Sequence, residues 1–161
     1  KIITFYLTIS HNLSIIIIDS NYPRFILSMI KFLEVNKMLT EKFYDVIKNE
    51  GVVSIVSWSN NSAHVVNTWN SYLHVTADEK LLIPAAGMRK TQKNTDQNNS
   101  VKLTLGSKEV LGHRGYPGTG FLIEGTAKFL ESGPDFDMMK EKYPFLSRVL
   151  EITVTSITQT L

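Results

Sequence analysis

Connection length constrains this chain more than any other feature. From residue 52 onward, β-rich runs follow one another across turn-sized gaps. Residues 52–58 form one such run, Ser59-Asn60-Asn61-Ser62 is turn chemistry, and residues 64–76 read as a long second strand or a bent pair. Ala77-Asp78-Glu79-Lys80 then turns the chain into Leu81-Leu82-Ile83-Pro84. Parallel pairing needs a crossover of roughly a dozen residues or more, so these connections dictate an antiparallel meander.

Later strands are expected at residues 101–105, at 119–130 with a break at Gly125, and at 150–160, where Ile152, Val154 and Ile157 alternate with threonines. Helices fill the remaining gaps. Thr40 is an N-cap candidate, Phe43, Val46 and Ile47 share an apolar face, and Gly51 closes that helix. A second short helix starts near Lys90, and Gly133-Pro134 opens a third that Tyr143-Pro144 breaks. The sum is a mainly β fold, about six antiparallel strands in a closed barrel with two or three short helices.

At 161 residues the chain holds one domain of ordinary size, and it has no cysteine. That removes disulfides, thiolate metal sites and a cysteine nucleophile, and it suits a cytoplasmic setting without fixing it. Residues 1–37 carry four basic and two acidic side chains, while the remainder carries 13 of each. The basic balance therefore sits in the first segment, and no nucleic-acid face is implied elsewhere. Ile2 to Ile18 is uncharged, but Thr4, Thr8, Ser10, His11, Asn12 and Ser14 interrupt it. A membrane span needs about 20 mostly apolar residues, so no membrane partner is expected. Residues 1–37 read as an N-terminal appendage, such as upstream sequence translated in error would give. The domain proper starts at residue 38.

Most chemistries find no foothold. His11, His64, His74 and His113 lack metal-ligand spacing, and no G-x-S-x-G elbow occurs. Asp78-Glu79 and the Asp135–Asp137 pair sit where turns and helix starts favour acidic residues locally. Gly115, Gly118 and Gly120 belong to a hairpin loop, since a dinucleotide fingerprint needs a strand–helix setting.

Two segments survive this pruning. Asn67, Thr68, Trp69, Asn70 and Tyr72 give a strand unusually rich in amides and aromatics, and Gly87-Met88-Arg89-Lys90-Thr91 gives a turn with cations and a hydroxyl. A phosphate needs a cation and converging donors, and a flat ring needs apolar walls with amides at its edges. Alternation puts Asn67 and Trp69 on one face of the strand and Thr68 and Asn70 on the other. Together they could form a pocket for a phosphorylated aromatic ligand. A Trp/Tyr core with a surface lysine explains the same residues.

From Met38 to Leu161 the chain resembles the flavin-binding split-barrel family related to pyridoxamine phosphate oxidase, and within it the small dimeric FMN-binding members. The collinear blocks are Asn49-Glu50-Gly51-Val52-Val53, Val66-Asn67-Thr68-Trp69-Asn70-Ser71-Tyr72-Leu73, Gly87-Met88-Arg89-Lys90-Thr91, Leu103-Thr104-Leu105-Gly106-Ser107, Pro117-Gly118-Thr119-Gly120-Phe121-Leu122-Ile123 and Gln159-Thr160-Leu161. The resemblance implies a six-stranded split β-barrel and a homodimer with FMN at the subunit interface. It implies that Asn67, Thr68, Trp69 and Asn70 line the flavin, that Gly87 and Met88 belong to the same cofactor site, and that Lys90 and Thr91 hold the phosphate. It further implies an aromatic residue from the partner subunit, falling at Phe145, and the C-terminal leucine, Leu161. The expected function is electron transfer or flavin-dependent redox chemistry with an unidentified redox partner. A reductase or oxidase with its own substrate, and a non-catalytic barrel, are the alternatives. The chain is too short for the oxidase's full substrate apparatus.

Overall fold

A computed structural model describes residues 3–9, 12–18 and 37–161, and the chain forms two compact units, Lys1–Lys37 and Met38–Leu161. In the first unit, strand β1 (Ile3–Ile9) pairs antiparallel with β2 (Asn12–Ile18), Ile3 facing Ile18 and Ile9 facing Asn12. Isoleucine and threonine favour this pleated form. The uncharged run thus gives two short strands, and no described helix is long and apolar enough to cross a membrane. Ser10 and His11 lie outside the described residues.

The second unit opens with helix α1 (Glu41–Lys48), whose cap Thr40 accepts from the Phe43 N–H at 3.3 Å. Its buried face presents Phe43 and Val46 to the sheet. The strands are β3 (Val52–Ser59), β4 (Ser62–Trp69), β5 (His74–Val75), β6 (Leu81–Ala85), β7 (Ser100–Leu111), β8 (Pro117–Leu130) and β9 (Arg148–Gln159). Helix α2 (Arg89–Thr95) lies between β6 and β7, and α3 (Pro134–Lys142) between β8 and β9. Every strand pair is antiparallel, as turn-length connections require.

The hydrogen-bonded order is β4-β3-β7-β8-β9-β6-β5. The sheet therefore has seven strands where six were expected, and its ladder runs from β4 to β5 without closing into a ring. The extra strand arises at residues 64–76. A 3-10 turn, Asn70–Tyr72, divides this stretch into β4 and the two-residue β5. β8 runs unbroken through Gly125, where a break was expected; the irregularity is a register shift against β9 between Glu124 and Gly125, where a Cβ would come within 2.4 Å of the Thr153 carbonyl. The glycine-rich segment is the β7–β8 hairpin, with Arg114, Gly115 and Gly118 at positive φ.

Phe43, Val53, Ile55, Leu81, Ile83, Leu103, Ile123, Leu150 and Ile152 form the main core. Leu82, Met139, Leu146 and Val149 form a smaller one beneath α3. Opposite faces of β6 and β9 feed the two cores, so residues 81–85 are buried throughout. That double burial fixes where β6 ends, and the turn after it carries one half of the candidate site.

Candidate functional site

Strand β4 follows its alternation to the end. Asn67 and Trp69 face solvent and Thr68 is buried. Trp69 is 49% exposed and lies opposite Val52, itself exposed, so an apolar surface stands open at this end of the sheet. Asn67 Oδ1 accepts from Ser54 Oγ at 2.9 Å, which orients the amide on that face.

Asn70 leaves the strand and turns inward. It is fully buried, and its Nδ2 donates to the carbonyls of Asn49 (2.9 Å), Gly106 (3.1 Å) and Val46 (3.3 Å). Its own N–H donates to the Gly51 carbonyl at 2.9 Å. One side chain thereby ties the end of α1 to β7 behind Trp69. A Cβ on Gly51 would fall 2.3 Å from the Gly106 carbonyl oxygen and 2.8 Å from Asn70 Nδ2, so only glycine fits. Asn70 Oδ1 is buried with no hydrogen-bond partner.

Beside it, Tyr72, Tyr143 and Phe145 form a three-ring cluster, with centroids 5.4, 5.7 and 6.0 Å apart. Tyr143 donates its hydroxyl to the Ser71 carbonyl at 2.9 Å. Phe145 thus packs on the Tyr72 of its own chain, yet stays 52% exposed. Glu50 is held below the usual carboxylate range, chiefly by the Ser71 hydroxyl and also by the Gly51 and Ser71 N–H groups.

The second segment follows β6. The chain bends at Gly87 without a positive φ there, and Met88 takes the left-handed conformation (φ 60, ψ 26). The Met88 side chain packs against the main core. Gln92 N–H then donates to the Met88 carbonyl at 2.9 Å and starts α2. The N–H groups of Arg89, Lys90 and Thr91 precede any intrahelical acceptor. Lys90 is exposed, while Thr91 is fully buried with its hydroxyl unpartnered. Asn70 Oδ1 and Thr91 Oγ1 are the two buried side-chain atoms without a partner among the described residues. Both belong to the set the sequence singled out.

Helix α2 packs against β3 and β4. Asn94 joins them, accepting from Ser59 Oγ at 2.9 Å and donating to Ser57 Oγ at 3.2 Å. Ser57 and Ser59 pair with His64 and Ser62, so this contact lies toward the hairpin end of β4, whereas Trp69 pairs with Val52 at the other end. Leu161 lies elsewhere, exposed and against Gly112 and Gly120 at the base of the β7–β8 hairpin. Sequence reasoning missed Ser147 and Arg148. Ser147 Oγ donates to the Ala85 and Ala86 carbonyls, each at 3.1 Å. Arg148 donates to the Gly87 carbonyl and to Gln92 Oε1, with its guanidinium 5.3 Å from the Phe129 ring centroid. The available signal was an arginine at the start of a strand whose next two residues are apolar.

The family model for pyridoxamine 5'-phosphate oxidase matches residues 39–161. The chain belongs to that family. An FMN-binding protein of Nitratidesulfovibrio vulgaris strain Miyazaki F is 45% identical over 124 residues, covering 77% of this chain and 100% of that protein. An FMN-binding protein structure from Syntrophomonas wolfei has a TM-score of 0.59 at 18% identity, covering 86% of this chain and 97% of its own. The HupZ structure from Group A Streptococcus has a TM-score of 0.63 at 16% identity, covering 76% and 94%. At those identities the two structures establish the fold alone.

Proposed function

We propose that this chain is a homodimeric FMN protein serving electron transfer, with the flavin at the subunit interface. The observation that carries the reading is the exposed Lys90 beside the buried, unpartnered Thr91 hydroxyl, on the turn that follows β6. A buried hydroxyl without a partner is costly unless a ligand satisfies it. The 45% identical relative named as an FMN-binding protein supports flavin as that ligand. The donor set suits a terminal phosphate monoester, because a cation and a hydroxyl donor are consecutive in the chain.

Lys90 would neutralise the phosphate and Thr91 would donate to it. Gly87 and Met88 set their place. Asn67 and Thr68 would border the ring, and Trp69 would wall it. Asn70 supports them from behind, since its amide hydrogens are already committed to backbone carbonyls. The exposed Phe145 and Leu161 supply apolar surface that a second copy would bring to the ring and that would exclude water from it. Bound FMN supplies one- or two-electron transfer. A cytoplasmic setting belongs to the same reading, as does a carrier role in preference to oxidation of pyridoxamine phosphate.

The test is a spectrum and FMN titration of the purified protein, with light scattering for mass. A yellow dimer that binds one FMN per chain is expected. A colourless protein that refuses FMN overturns the reading, and steady turnover with NAD(P)H and an acceptor replaces the carrier with a reductase.

A further inference from the structure

We infer that Arg148 is a positioning residue that gives this site its preference for a phosphorylated flavin; the inference rests on the reading above. Arg148 does not need to touch the ligand. It grips both sides of the strained residue, donating to the Gly87 carbonyl just before Met88 and to the Gln92 side chain one helical turn after it. Met88 between them holds a left-handed backbone that a non-glycine residue avoids unless its surroundings enforce it.

Three features make the grip specific to an arginine. The guanidinium presents a planar fork of donors, so one side chain reaches two acceptors that differ in position and kind. The Phe129 ring supports its face at 5.3 Å. Ser147, just before β9, fastens the Ala85 and Ala86 carbonyls, so two consecutive residues hold the turn at both ends. Release of Arg148 frees Gly87 and Gln92, and the direction of Lys90 and the Thr91 hydroxyl is lost. The ring-lining residues on β4 are untouched, because Asn70 fixes them through a separate set of carbonyls. Phosphate recognition and ring recognition therefore have separate supports.

FMN and riboflavin, which differ only in the phosphate, read this out. In Arg148→Gln the FMN Kd should rise about tenfold, as for one lost charge-assisted contact. Riboflavin Kd should stay unchanged. Gln92→Ala, which leaves the arginine in place, should shift the same ratio in the same direction by less. Arg148→Lys should not restore it, since a point charge cannot bridge both acceptors. Amide exchange at residues 87–92 of the ligand-free protein should quicken in Arg148→Gln, with β3 unaffected. Equal weakening of both ligands, an unchanged ratio, rescue by lysine, or no effect of Gln92→Ala each overturns the inference. A wild-type protein that does not distinguish FMN from riboflavin overturns the phosphate reading itself, and the inference with it.

Discussion

The two halves of the candidate site are held by different physics. The β4 half is fixed from inside: Asn70 is fully buried and bonded to three backbone carbonyls, in a space that excludes any side chain on Gly51. The Gly87–Thr91 half is fixed from its rim, by the Ser147 hydroxyl and the Arg148 guanidinium at the start of β9. A site residue anchored in the core cannot change without cost to the fold. One anchored at the rim can, and the difference separates stability from binding.

Asn70→Ala should expose the asymmetry most. It removes a buried amide that bonds three backbone carbonyls, so a loss of about 3 kcal/mol is expected from urea unfolding. A loss under about 1 kcal/mol would erase the contrast. Lys90→Ala should weaken FMN by about 2 kcal/mol in titration while leaving the unfolding midpoint unchanged. A fall in both would place Lys90 in the structural class. Thr91→Val, close in shape, should raise ligand-free stability by up to about 1 kcal/mol because it removes an unsatisfied buried hydroxyl, and should weaken FMN. Lower ligand-free stability would show that the hydroxyl has a protein partner.

Most of the architecture was legible before any coordinates. Turn-length gaps force antiparallel pairing, and the alternation of Asn67, Thr68 and Trp69 reads directly as two faces. The division of residues 64–76 was left open because it depends on carbonyls that Asn70 finds 21, 24 and 36 residues away. Arg148 was invisible for the same reason, since its partners Gly87 and Gln92 lie 61 and 56 residues earlier. Phe145 was legible only through the resemblance, since its ring contact with Tyr72 joins residues far apart in the chain and leaves no local signal.

Two smaller effects complete the comparison. Glu50 is held below its ordinary value near 4.5, so its contribution is present above that pH and is lost as pH falls through the lowered value. Melting temperature should therefore drop on acidification below that range, and Glu50→Gln should flatten part of the slope. An unchanged slope would show that Ser71 does not hold the carboxylate in solution. Smallest of all, Gly87→Ala should move ligand-free stability by less than about 0.5 kcal/mol, whereas Met88→Gly should cost more through lost core packing.

The open space at Gly87 has a practical use. A Cβ placed there meets nothing within 4 Å, and the chain has no cysteine of its own. Gly87→Cys would thus create a single thiol on the turn, one that a fluorescent or spin label can modify without competing sites. A reporter at that position would sense directly whether the turn stiffens when ligand arrives.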